Sequence, residues 1–228
     1  PAFAEATPDM LLGLVDEAAK LIENQIAPLN HVGDQQGCRI KDGVVSVPEG
    51  FADAYKLYSE AGWMSLCNTP DFDGQGLPYT LAKVVEEMLC SANVAFALYP
   101  GLTTGCFEAL YANASDEIKQ TYLPKLSTGQ WSGTMCITEA HAGSDVGAAK
   151  TKAIPNGDGS YAIDGGKIFI TSGEHEMAEN IIHFVLARLP DSPPGVKGLS
   201  TFVVPKFLPK ADGAPGERNQ LHAANIEH

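Results

Sequence analysis

Trp131-Ser-Gly-Thr-Met-Cys-Ile-Thr-Glu-Ala-His-Ala-Gly-Ser-Asp-Val-Gly147, followed by Gly165-Gly-Lys-Ile-Phe-Ile-Thr-Ser-Gly173, is where the chain changes character. Before it apolar residues recur at helical spacing, and after it at strand spacing. Within it, an extended run over Met135, Cys136, Ile137 and Thr138 breaks into Glu139–Asp145, a turn dense in small residues and polar donors. Glycine and serine let a backbone approach a ligand closely, and outward-pointing amides bind phosphate or carbonyl oxygens. Hydroxyls (Thr138, Thr171) follow apolar residues in both halves, and Phe169 stands beside Ile170 and Thr171. Both halves are therefore read as lining one flat, anionic or heteroaromatic ligand rather than as a plain surface turn.

Upstream, the first element is a helix. Thr7 caps it, Pro8 suits its first position and Asp9 its positive end, and Leu11, Leu12, Val15, Ala18, Ala19, Ile22 and Ile26 recur on one face up to Pro28. Residues 29–47 read as loop, with a short extended piece at Val44, Val45 and Val47. A second helix spans Phe51–Ala61, closed by Gly62. Two more follow, over 80–91 and roughly 94–112, with Pro100 and Gly101 interrupting or starting the latter. Ser115 caps a further helix that runs to about Leu126, before Gly129. Gly101, Thr103, Thr104 and Gly105 either let an acyl chain pass between helices or serve close helix packing; pattern alone leaves both open.

Downstream, Ala148–Ile154 and Tyr161–Ile163 flank a hairpin turn at Pro155–Gly159, Gly165-Gly166 leads into a strand over Lys167–Thr171, and Ile181–Leu189 and Leu199–Val204 read as further strands. Residues 206–228 show no strong periodicity. The fold class is α+β: an α-helical domain over 1–130, then a β-barrel or sandwich over 131–228, incomplete at its C-terminal end.

Fifteen basic residues against 28 acidic ones give a net charge of −13, which argues against a nucleic-acid partner. The five cysteines at irregular spacing are expected to be free thiols in a reducing compartment, with cytosol as the default. No apolar run approaches the roughly 18 residues that span a bilayer. Gly157-Asp-Gly159 resembles a dinucleotide loop superficially, but a strand rather than a helix follows it. His175 and Glu176 lack the second histidine of a zinc site, so no metal is expected. His141 is read as a loop donor, and Asp145 as organising the turn by accepting its N–H groups.

The two motifs, Ile137-Thr138-Glu139-x-x-x-Gly143-Ser144-Asp145-x-x-Gly147 and Lys167-Ile168-Phe169-Ile170-Thr171-Ser172-Gly173, resemble the flavin-binding signature of the acyl-CoA dehydrogenases, and the resemblance extends from Leu11 to His228. It implies FAD as cofactor and α,β-dehydrogenation of an acyl-CoA thioester. The segment from Met135 through Ile137 and Gly143 to Ser144 would run along the flavin, with Thr138 bonding its pyrimidine edge. Phe169 would pack on the ring system, where the family commonly has tryptophan. Ile170 and Thr171 would complete that wall, Thr171 bonding near N5, and Ser144 would lie where the flavin phosphate and the coenzyme A arm meet. The resemblance also implies electron-transfer flavoprotein as electron acceptor and a homo-oligomer.

In that family a C-terminal helical domain supplies the catalytic glutamate and much of the oligomer interface. It is expected to be missing here, so no catalytic residue is assigned in this chain and the 228 residues alone are expected to be inactive. Glu139 belongs to the flavin motif and is not promoted to that base. The loop over Phe72–Pro78 and the ending from Asn219 resemble the larger bacterial branch, whose members act on long-chain or 3-methylthiopropanoyl-CoA substrates. Two alternatives are an oxidase of the same superfamily and a flavin-free module that binds a partner.

Overall fold

The computed structural model describes residues 3 and 6–227; Pro1 and His228, the outer limits of the two expected domains, lie outside them. Helix α1 (Pro8–Leu21) starts as expected, with the Thr7 Oγ1 accepting from the Met10 amide at 3.3 Å. One π-helical stretch, Ile22–Ile26, extends it and keeps Ala18, Ile22 and Ile26 in the core.

Of the loop expected over 29–47, the short extended piece is found as β2 (Val44–Ser46), paired in a hairpin with β1 (Arg39–Lys41), while the part before it is instead helix α2 (Leu29–Gln36). Gly33 weakens the helical pattern, but α2 passes so close to Phe51 that a Cβ at Gly33 would stand 2.9 Å from the ring. Asp42 and Gly43, both left-handed (φ 52° and 76°), make the turn between the two strands.

Helix α3 (Phe51–Glu60) precedes α4 (Tyr79–Asn113), in which the two expected helices, 80–91 and about 94–112, run on from one another across a kink. Its break falls at Asn93 (φ −159°, ψ 88°) rather than at Pro100, which lies buried inside the helix. The buried Asn93 side chain donates to the Ile26 carbonyl at 3.3 Å and accepts from the Phe96 amide at 3.0 Å, restarting the helix as an N-cap does. Helix α5 (Asp116–Thr128) is capped by Ser115 and closed by left-handed Gly129.

Strands β3 (Trp131–Cys136), β4 (Lys152–Pro155), β5 (Tyr161–Asp164), β6 (Asn180–Arg188) and β7 (Leu199–Pro205) form one open sheet. Its centre is β6, parallel to β3 along all six β3 residues and antiparallel to β7. The expected α+β class, a helical part followed by a sheet-containing one, is what the structure has; only the barrel is corrected, because among the described residues the sheet does not close. Lys167–Thr171 is not a strand either, because Phe169 and Ser172 are left-handed (φ 59° and 58°) and end any pleat. The aperiodic tail contains a small hairpin of β8 (Phe207–Pro209) and β9 (Pro215–Arg218).

Side chains alternate along β3. Trp131 packs toward α4 and α5. Gly133 meets α4 so closely that a Cβ there would stand 2.4 Å from the Cys106 Cβ, and its amide donates to the Thr103 Oγ1 at 3.1 Å. Ser132, Thr134 and Cys136 occupy the opposite face, where the segment after β5 crosses the strand. All five cysteines are free, and among the described residues no helix is long and apolar enough to cross a membrane.

Candidate functional site

The two halves of the motif meet in space. The Ile168 amide donates to the Thr138 carbonyl at 2.9 Å, and the Lys167 ammonium reaches the Ile137 carbonyl at 3.0 Å. The Thr134 hydroxyl donates to the Thr171 carbonyl at 2.6 Å. Gly143, Ser144, Phe169 and Thr171 are exposed, and Met135, Ile137, Thr138 and Ile170 are half-buried, whereas Thr134, Cys136 and Glu139 are buried. Of the residues expected to meet a ligand, Gly143, Ser144, Phe169 and Thr171 thus lie at the surface over a buried polar layer. Met135 shares a β3 face with Gly133, so its side chain points toward the helices rather than toward the Phe169–Thr171 wall.

Phe169 is 68% exposed and held in a left-handed conformation. A large aromatic residue displayed at a strained backbone position marks a place built for contact. Beside it, the amides of Gly143, Ser144 and Asp145 find no acceptor among the described residues, and a Cβ at Gly143 would meet only the Thr138 Cγ2 at 3.9 Å. An exposed aromatic ring and a turn with three free amides suit a flat ligand ring carrying a phosphate arm.

Glu139 organises the turn, a role expected of Asp145. Its carboxylate accepts from the Lys150 amide (2.7 Å), the Thr151 amide (3.0 Å), the Thr151 hydroxyl (2.6 Å) and the Lys167 ammonium (2.8 Å). Burial opposes its ionisation, but the Lys167 ammonium, the Thr151 hydroxyl and the two amides outweigh burial and hold the carboxyl at about 2. Its lone pairs are committed, so it has no capacity left to take a substrate proton. Asp145 contributes its backbone carbonyl, which accepts from the Ala148 amide at 3.1 Å. His141 sits at the rim with Nε2 at 3.2 Å from the Ala148 carbonyl, consistent with a loop donor.

Sequence reasoning also missed Arg188. Its guanidinium donates to the carbonyls of Ala149 (2.7 Å), Gly147, Pro193 (3.2 Å) and Gly195 (2.9 Å), pinning the far side of the turn to the loop before β7. An arginine ending a strand otherwise dominated by apolar residues was its only sequence signal.

Behind the wall, Glu174 pairs with Lys206 and, at 2.8 Å, with Arg218. The Ser132 hydroxyl lies 3.0 Å from His175 Nε2, a spacing that suggests a serine nucleophile. The other ring nitrogen, Nδ1, accepts from the Met177 amide at 3.2 Å, so Nε2 carries the proton and the imidazole cannot deprotonate the serine. Burial first, then the Lys206 charge, pushes His175 down to about 4. Among the described residues no group of His, Cys, Asp and Glu has the makings of a metal site. Gly101 and Gly105 have open space where a Cβ would stand, so close helix packing does not account for them.

Two family descriptions match the chain: acyl-CoA dehydrogenase, N-terminal domain, over residues 11–130, and acyl-CoA dehydrogenase, middle domain, over residues 134–220. The chain belongs to the acyl-CoA dehydrogenase family, whose members are flavin-dependent oxidoreductases. A 3-methylmercaptopropionyl-CoA dehydrogenase of Ruegeria pomeroyi is 45% identical over 226 residues, covering 99% of this chain and 38% of the relative. A butyryl-CoA dehydrogenase of Syntrophomonas wolfei is 38% identical over 224 residues, covering 96% of this chain and 37% of the relative. The chain thus spans less than two fifths of either relative. A solved structure described as the electron transferring flavoprotein of Acidaminococcus fermentans superposes with a TM-score of 0.71 at 28% identity, over 87% of this chain and 48% of that one.

Proposed function

We propose that this chain forms the flavin- and thioester-binding part of an FAD-dependent acyl-CoA dehydrogenase that converts acyl-CoA to 2-enoyl-CoA, with an α-helical unit over 1–130 and a β unit over 131–228. The observation that carries this reading is the Phe169–Thr171 wall, strained and exposed, hung beside the free amides of Gly143–Asp145. Phe169, Ile170 and Thr171 would hold one side of FAD. Ile137, Thr138 and the backbone of Met135 would follow its length, and Gly143 and Ser144 would meet its phosphates and the coenzyme A arm. FAD supplies an acceptor for the hydride that leaves the acyl β-carbon as a base removes the α-proton.

This chain's own residues contribute orientation and charge. Free amides offset phosphate charge in a protein of net charge −13, and the Glu139–Lys167 pair fixes the turn that presents them. Glu139 is not the base, for the reasons of lone-pair commitment and acidity given above. Electron-transfer flavoprotein as acceptor, a homo-oligomeric assembly, a cytosolic setting and a place in fatty-acid β-oxidation belong to the same reading.

The test is anaerobic titration of the purified full-length protein with butyryl-CoA, 3-methylmercaptopropionyl-CoA and longer acyl-CoAs. Bleaching of a bound flavin by at least one thioester is expected, with slow reoxidation in air. Protein that neither carries nor takes up FAD would overturn the reading, and rapid reoxidation with peroxide release would make the enzyme an oxidase.

A further inference from the structure

The wall from Phe169 to Ser172 is not part of any sheet. Among the described residues its backbone is tied to the rest of the protein at two points: the Ile168 amide on the Thr138 carbonyl, before the first left-handed residue, and the Thr134 hydroxyl on the Thr171 carbonyl, between the two. The only other backbone bond is internal, from the Gly173 amide to the Ile170 carbonyl at 3.2 Å. A segment with two left-handed non-glycine residues persists only where its surroundings over-determine it. Thr134 lies on the β3 face that the segment crosses, is fully buried, and makes its 2.6 Å bond from a strand paired with β6 along its whole length and packed on its other face by α4.

We infer that Thr134 is a positioning residue for the flavin wall: its hydroxyl sets the height and orientation of the Thr171 peptide, and through it the aim of the Phe169 ring and the Thr171 side chain. This rests on the flavin reading above. Thr134 touches no ligand itself. Without its bond, the Thr171 carbonyl loses its partner and the wall samples conformations in which Phe169 and Thr171 no longer face the same space. Affinity for the ring ligand then falls by the fraction of time the wall is misplaced.

Two replacements at one position separate the hydroxyl from the packing. Thr134→Val keeps the branched shape and loses the hydrogen bond; Thr134→Ser keeps the bond and loses a methyl group. In the full-length protein, Thr134→Val is expected to weaken FAD retention roughly tenfold, the typical worth of one hydrogen bond, and to alter the fine structure of the visible flavin absorption band. Thr134→Ser is expected to restore both toward wild type despite its small cavity. Wild-type protein without flavin would sink the functional reading itself. Wild-type protein with flavin, together with a Thr134→Val variant of unchanged spectrum and affinity, would overturn only the positioning role. Loss in the Ser variant with retention in the Val variant would assign the effect to packing and overturn it equally. Far-ultraviolet circular dichroism on both variants establishes that each is folded, and if the Val variant is not, Thr134→Cys, which also lacks a strong donor, takes its place with the same two outcomes.

Discussion

Glu139→Gln removes one charge from the centre of the signature turn and changes almost nothing in shape. The carboxyl ionises at about 2 in the folded protein against an ordinary 4.5, which contributes about 3 kcal/mol of stability at neutral pH. Because the folded value is depressed, that stabilisation is fully present above pH 4.5 and disappears as pH falls through about 2. By about pH 3 roughly 2 kcal/mol of it is gone. The glutamine also leaves the Lys167 ammonium, whose side chain is 9% exposed, without its counterion, a buried-charge penalty that brings the expected loss to about 3–5 kcal/mol. Urea unfolding of wild type and variant across this pH range measures it, and the gap between them should narrow steadily toward acid. A gap below about 1 kcal/mol at neutral pH, or one that does not change with pH, would refute the account of Glu139 as an ionised anchor.

Gly133→Ala forces a Cβ to within 2.4 Å of the Cys106 Cβ; with neither strand nor helix free to yield, a loss of about 3 kcal/mol is expected in the free energy of urea unfolding. His175 and His183 are both pushed down to about 4, first by burial, with Glu174 opposing and Lys206 adding to the shift at each, and Arg218 adding to it at His183. Both stay neutral when folded, so their contribution is complete above 6.5 and is lost as pH falls through about 4. Stability should therefore drop over that window with a slope approaching two protons, and a flat profile would contradict it.

Caps and turns were legible because they are local. Thr7, Ser115, Gly129 and the Pro155–Gly159 hairpin are each decided by a few adjacent residues. The α2 helix was hidden by Gly33, whose small size answers a contact with Phe51 that no local pattern contains. The gap between the helices over 80–91 and 94–112 was legible, but the second interruption offered at Pro100 does not occur, and nothing local shows that Asn93 finds the Ile26 carbonyl 67 residues away and caps there. At the site, the outward residues could be read from small and hydroxyl-bearing positions in the two motifs. The inward partners could not. Glu139, Arg188 and Thr134 act through bonds to backbone groups 5 to 41 residues distant, and a backbone donor or acceptor leaves no trace in the identity of the residue that owns it. Lys167–Thr171 failed as a strand for the same reason: its composition favours extension, while its tethers impose two left-handed residues.

The two faces of β3 do different work, and they are one residue apart. Gly133 is the notch that admits α4, and Thr134, next in line, is the hook that carries the wall. Inserting or deleting a single residue in this strand exchanges the notch for the hook: a threonine would be driven into Cys106 while a glycine, with nothing to offer, turned beneath Thr171. No intermediate register satisfies both. The segment is thus a ruler with only one usable setting, whereas the exposed hairpin tip at Gly157–Gly159, where a Cβ would meet nothing within 4 Å, has room to lengthen without moving any graduation on it.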